Sequence, residues 1–329
     1  MEKEQRNSYI VRTFFACALT LLLAGPISQL AMQVFSNPQV AAFLIYWETG
    51  RLVRLETTQA MPTEEPALQM PTEEPALPMS TQPPKQPISL DIRDADLIKT
   101  SNYTDYHPDF AALLEAPLTW DLTEGGPAVL IIHTHATESY AGTDGYRTED
   151  PNYNMLRVGA EIAKVLEENG IEVIHDTTLH DEPSYNNAYI YARETIEARL
   201  AEHPSIRMVV DVHRDAFEMT EAVQLSTHAQ VDGKDASQLM LVMGTDAGNR
   251  HHPNWQENLA VAAKLQVLLE EKYPGICRRM QLRTERFNQD LSPAGMILEV
   301  GAAGDTLEVA LVAARAFAET VVTLSQGAQ

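Results

Sequence analysis

Cysteine is nearly absent from this 329-residue chain, which has only Cys17 and Cys277. Two thiols cannot build a disulfide framework or the cysteine-rich shell of a structural zinc site. Cys17 falls inside a hydrophobic N-terminal segment, which leaves Cys277 a lone thiol. Any metal must therefore be held by histidines and carboxylates. Basic residues are also scarce, with 24 Lys and Arg against 46 Asp and Glu and a formal net charge of -22. That deficit argues against nucleic acid, whose binding depends on neutralising phosphates. It says nothing about fold. The length suits one large domain or two small ones, with ample material for a core.

The N-terminus carries Lys3, Arg6 and Arg12, and then Thr13 to Val34 runs without a charge. That run is close to the roughly 20 residues a bilayer-spanning helix needs. The basic flank predicts residues 1–12 on the cytoplasmic side and everything after the span outside. We read 13–34 as an uncleaved transmembrane anchor, placing the chain in the cell membrane as a single-pass protein. The rival is a cleaved signal peptide, since Ala24, Gly25 and Pro26 could precede a cleavage site. The run exceeds a usual signal h-region, however, and no A-x-A pattern follows it. Val40 to Trp47 is too short to span, so 35–55 reads as a membrane-proximal segment.

Residues 56–87 change character. Met61-Pro-Thr-Glu-Glu-Pro-Ala-Leu-Gln69 is followed by Met70-Pro-Thr-Glu-Glu-Pro-Ala-Leu-Pro78, a tandem nonapeptide. Its prolines block helix and sheet alike, and such sequence stays extended and solvated. It reads as a spacer between membrane and domain. A docking motif is the weaker alternative.

The globular domain spans 88–329. Little periodicity is visible from Ile88 to Glu124. Beyond it, apolar runs predict strands at Ala128–Ile132, Ile171–His175, Met208–Val212, Leu239–Met243 and Met296–Val300. Helical patterns fall between and after them, at Asn154–Asn169, Tyr189–Glu202, Trp255–Tyr273 and Thr306–Leu324. Alternating strands and helices imply an α/β fold, a three-layer domain with a mainly parallel sheet.

Three of those strands end in chemistry. The first gives way to His133-Thr-His135-Ala-Thr-Glu138, the third runs into Asp211-Val-His213-Arg214-Asp215, and the last carries Glu299 inside an apolar run. Ligands bind at the carboxyl ends of strands in such sheets. His135 and Glu138, three residues apart, can aim an imidazole and a carboxylate at one point. With His213 they make the two-histidine, one-glutamate set of a catalytic zinc, leaving a fourth position for water. A glutamate in an apolar strand is costly unless paired or bound to a cation, so Glu299 is the candidate general base. Either His133 or His135 is within reach of the metal. His135 is preferred for its spacing to Glu138, with His133 as support behind the site. Each residue singly has a bland alternative: surface histidines, a satisfied core histidine at 213, a structural ion pair at Glu299. Arg214 is free to bind a substrate carboxylate or to pair with Asp215.

His133-Thr-His-Ala-Thr-Glu-Ser-Tyr140, Asp211-Val-His-Arg-Asp215, the Gly244-Thr-Asp and His252-Pro-Asn-Trp255 region, and Leu298-Glu-Val-Gly301 together resemble the stage II sporulation protein P family. The resemblance runs from about Leu90 to the C-terminus. It implies an amidase-like fold and a peptidoglycan hydrolase of endospore formers, related to zinc N-acetylmuramoyl-L-alanine amidases. Members remove stem peptides from glycan strands and also cut peptide cross-links. It also implies work during engulfment beside the stage II sporulation proteins M and D. His252, Asn254 and Trp255 are then expected on the rim of the same cleft, where Trp255 would stack on a sugar or peptide, or else cap its helix. Ala302-Ala-Gly-Asp305 departs from the asparagines associated with that loop, which bears on substrate preference. The expected function is a membrane-anchored zinc amidase with endopeptidase activity, acting on the wall from the outer face. The alternatives are a zinc peptidase of non-wall peptides and a catalytically silent wall-binding scaffold.

Overall fold

A computed structural model describes residues 94–327 apart from 119, 124, 144, 183, 217–224 and 249. The expected anchor, membrane-proximal segment and proline-rich spacer lie outside the described residues. Among those that are described, no helix is long and apolar enough to cross a membrane.

In chain order the strands are β1 Thr100–Asn102, β2 Val129–Ile132, β3 Val173–His175, β4 Met208–Asp215, β5 Ala229–Val231, β6 Lys234–Ala236, β7 Leu239–Gly244, β8 Met280–Arg283 and β9 Ala294–Ala302. The helices are α1 Phe110–Glu115, α2 Met155–Glu168, α3 Ala188–Glu202, α4 Trp255–Lys272 and α5 Leu307–Gly327. Seven strands make one sheet in the order β1-β8-β7-β9-β4-β2-β3, parallel throughout except where β7 meets β9. This is the mixed α/β architecture, with a mainly parallel sheet, that the alternation of elements implied.

The sheet's two faces are read off by alternation along each strand. Val129, Ile131, Met208, Val210, Val212, Met296, Leu298 and Val300 point to one side, where they share a core with apolar residues of α2, α4 and α5. Leu130, Ile132 and Val209 point to the other, against Ala192 and Ile196 of α3. Each such side chain fully buried stabilises the fold by about 1.5–3 kcal/mol. Asp211, His213 and Glu299 follow in the same alternation, so they face the α3 side. The apolar run thus decides where the polar residues at its end will point.

Local chemistry sets the element boundaries. Asn154 caps α2, its side-chain oxygen accepting from Leu156 N at 3.0 Å. Gly159 of α2 passes so close to the sheet that a Cβ would collide with the rings of His133 and His175. The β5–β6 hairpin turns through Asp232 (φ 50) and Gly233 (φ 76), left-handed positions that an Asp-Gly pair accommodates. That Asp-Gly signal, and the short β1 and β8, were not legible as strands by apolar pattern alone.

Candidate active site

The carboxyl ends of β2, β4 and β9 converge, since all three run parallel in adjacent positions. His213 and Glu299 are register partners across β4 and β9. Just beyond His213 the register shifts, and Arg214 N donates to Glu138 Oε2 at 3.2 Å. Such an irregularity re-aims a side chain and releases a backbone donor from the ladder. Here it ties β4 to the turn after β2.

His213 is buried, with Nδ1 3.7 Å from Glu138 Oε2 and Nε2 2.9 Å from Asp211 Oδ1. Asp211 is itself held by Thr134, whose N–H and hydroxyl donate to its two oxygens at 2.8 and 2.5 Å. Burial works against charge on His213, but Asp211 and then the nearby Glu138 and Glu299 raise its pKa to about 10. Burial likewise opposes charge on Asp211, and the His213 and Thr134 contacts outweigh it, taking the carboxyl down to about 2. His135 behaves oppositely. Burial and the neighbouring His213 lower it to about 4, and its Nδ1 is closed from solvent without a hydrogen-bond partner. Its ring stands edge-on to His213, with centroids 5.4 Å apart.

Glu299 keeps some exposure as a residue, yet its Oε2 is shut off from solvent and has no partner. Burial, opposed by His213 and reinforced by Glu138 and Asp215, raises its carboxyl to about 8. A buried carboxyl poised near neutrality beside an imidazole has the acid–base character hydrolysis needs.

The structure therefore gathers His135, Glu138, His213 and Glu299 at one place. The remaining candidates fare differently. His133 is fully buried behind the site, its Nδ1 3.1 Å from Val212 O and its Nε2 2.9 Å from His175 Nε2. Arg214 is committed to the loop after Glu138: it donates to the carbonyls of Ser139 and Tyr146, both at 2.9 Å, and lies 3.7 Å from Glu138. Asp215 pairs instead with Arg278, at 2.7 Å. His252, Asn254 and Trp255 are not brought to the cleft. β7 runs antiparallel to β9, so the segment leaving its carboxyl end emerges at the opposite end of the sheet. There Asn254 donates to Asp290 O at 3.1 Å, and Trp255 stacks on Tyr106 at 4.9 Å. The expectation of a shared rim required β7 to run in the same direction as β2, β4 and β9, and it runs the other way.

Residues that no motif had singled out close the site. Tyr185 stacks on His135 (4.1 Å, 13°), and the Arg147 guanidinium lies 5.0 Å from the Tyr185 ring centre. Arg147 is fixed by Thr137 Oγ1 at 2.7 Å and Asp181 at 3.0 Å. Tyr189, four residues on, touches both His135 and His213. A tyrosine pair at helical spacing around Asn186-Asn187 offered no pattern that distinguishes a site wall from a core contact. The departure at Ala302–Asp305 also has a structural role. Asp305 accepts from Ser226 and Thr227 side chains and from the N–H groups of Thr227 and Ala302, pinning the loop after β9.

Residues 52–322 match the family described as stage II sporulation protein P. The chain belongs to that family. The Stage II sporulation protein P of Bacillus subtilis (strain 168) is 28% identical over 207 residues, covering 58% of this chain and 49% of that protein. The chain therefore spans about half the length of this curated relative. Solved structures similar to this family member include the N-acetylmuramoyl-L-alanine amidase from Clostridium difficile 630 (14% identity, 60% of this chain and 97% of that one, TM-score 0.33). Ami1 from Mycobacterium smegmatis (13%, 63% and 99%, TM-score 0.38) is another. A third is the CwlD amidase from Clostridioides difficile in complex with the GerS lipoprotein (12%, 60% and 98%, TM-score 0.33). Likenesses at such scores carry no argument about the chemistry of this chain.

Two imidazoles and a carboxylate are the right donor types for a divalent cation. The unpartnered His135 Nδ1 and the excess of buried carboxylates around His213 suit one in charge. Yet among the described residues no group of three His, Cys, Asp or Glu is drawn together closely enough to hold a metal ion. The donors fit in kind and fall short in spacing.

Proposed function

We propose that this chain is a peptidoglycan hydrolase that cleaves amide bonds, an N-acetylmuramoyl-L-alanine amidase with endopeptidase activity at wall cross-links. The observation that carries the reaction class is Glu299: an unpartnered carboxyl oxygen, closed from solvent, beside His213 and Glu138. Family membership supports the wall as substrate, through what that resemblance implies. Glu299 would take a proton from the attacking water and deliver it to the departing nitrogen, which requires a pKa near the working pH. Asp211 lies against His213 at 2.9 Å, and Tyr185 with Arg147 covers His135.

Zinc is the proposed cofactor: His135, Glu138 and His213 match it in donor type and would hold it by drawing closer together, and it would supply an acidified water and a polarised carbonyl. Anchoring at residues 13–34, with the domain on the outer face of the membrane, is part of the same proposal. So is action beside the sporulation proteins D and M during engulfment.

The test is digestion of purified wall sacculi. Amidase action releases peptides with a free N-terminal alanine, identified by mass spectrometry, and cross-link cleavage releases monomeric stems. Release of neither, with binding retained, would leave the scaffold reading in place. Cleavage of free peptides but not sacculi would favour a non-wall peptidase.

A further inference from the structure

We infer that Tyr189 is a catalytic residue of this site, its phenol O–H donating a hydrogen bond to the carbonyl oxygen of the scissile amide as that oxygen becomes negative. The inference rests on the hydrolase reading of the site and adds a group to it.

Tyr189 is the second residue of α3, packed against Met240, Val242 and Ile297 on the sheet face that carries His213 and Glu299. Its ring is fixed from three sides. It stands edge-on to His135 (5.7 Å, 89°), lies parallel to His213 (6.5 Å, 16°) and meets Phe287 at 5.8 Å. Asn288 Nδ2 holds its backbone by donating to Tyr189 O at 2.8 Å. No group among the described residues takes up its hydroxyl. A ring packed against both candidate ligand histidines, with its polar end uncommitted, offers a donor that needs no rearrangement when charge develops.

The other donors nearby are already engaged. Arg214 spends its N–H groups on Ser139, Tyr146 and Glu138. Arg147 is held by Thr137 and Asp181. Tyr185 has an outer edge in solvent, with the residue 47% exposed, and forms wall rather than floor.

The chemistry balances without a proton from Tyr189. Water adds to the carbonyl carbon, its proton passes through Glu299 to the nitrogen, the C–N bond breaks, and a carboxylate and an amine leave. Tyr189 keeps its proton throughout and only stabilises the oxyanion between.

The test compares the full chain with Tyr189→Phe, which retains the ring and removes the hydroxyl. On sacculi that the wild type digests, kcat is expected to fall about 100-fold with KM unchanged. Affinity for a phosphonamidate analogue of the scissile amide should fall by the same factor, while affinity for the released peptide stays the same. Metal content and melting temperature should not move. Wild-type turnover and analogue affinity in Tyr189→Phe would overturn the inference, and so would a loss of metal or of folding, which makes the residue structural. A wild type that digests nothing instead removes the hydrolase reading itself, and this inference with it.

Discussion

Asp211 Oδ1 lies 2.9 Å from His213 Nε2, with both side chains buried and Thr134 closing the far side of the carboxylate. The contact distinguishes the two ring nitrogens: Nε2 lies beside the Asp211 carboxylate, and Nδ1 faces Glu138 and whatever the site binds. Replacing the charge with an amide should loosen both the fold and the ligand. We expect Asp211→Asn to lower stability by about 1–3 kcal/mol. Zinc affinity should fall about 10- to 100-fold through loss of the group that orients His213. Thermal unfolding and chelator competition read the two effects separately.

Glu299 and His213 face one another across the same strand pair but hold different roles in the proposal. Glu299→Ala should keep zinc and lose wall digestion by about 100- to 10,000-fold. His213→Ala should lose both. Metal analysis beside a turnover assay decides it, and normal turnover by Glu299→Ala would remove that residue as the base.

The two histidines of the first motif part company in the structure. His135 has a free, buried Nδ1 in the cleft, whereas His133 is spent on Val212 and His175. His135→Ala should abolish zinc binding. His133→Ala should retain it while lowering the melting temperature, because it opens a hole beneath Gly159 and leaves His175 without its partner. Metal retained by the first variant and lost by the second would reverse the assignment.

Trp255 offers a test of geography. It stacks on Tyr106 at the end of the sheet away from Glu299, so Trp255→Ala should leave turnover on sacculi unchanged. Loss of the aromatic pair should cost stability, about 0.5–1.5 kcal/mol beyond the buried area. A raised KM with unaltered stability would place the side chain on a substrate path after all.

Acid should weaken the joint between α2 and α5. Glu161 bridges Arg157 and Arg315, at 2.9 and 2.5 Å. Burial pushes its carboxyl up, but the two guanidiniums more than offset this and hold it below the usual 4.5. A depressed carboxyl contributes stability above its unfolded pKa and loses it as pH falls through the folded one. Both arginines are partly exposed, which limits the contribution to about 1 kcal/mol. The melting temperature of Glu161→Gln should thus trail the wild type at pH 7, and the gap should close below pH 4.5. An equal gap at both ends would sink the idea.

The fold was legible where burial on both faces left an uninterrupted apolar run, as in Val129–Ile132 and Met296–Val300, or where a helical stripe met a cap, as at Asn154. That His135, Glu138, His213 and Glu299 would lie near one another was legible for a related reason: polar groups at the end of an apolar run have nowhere to go but the end of the sheet. Three short stretches escaped. β1 and β8 hold three and four residues and carry little pattern, and the β5–β6 hairpin announced itself only through Asp232-Gly233.

The amino-acid sequence by itself determined which side chains could do chemistry, and that β2, β4 and β9 would carry them, because composition and alternation are local. The tertiary structure alone decided which of them meet. The reversed direction of β7 sends His252, Asn254 and Trp255 away from the cleft, and the docking of α3 brings Tyr185 and Tyr189 into it. Strand direction and helix placement are settled by long-range packing between segments far apart in the chain, and no local pattern records them.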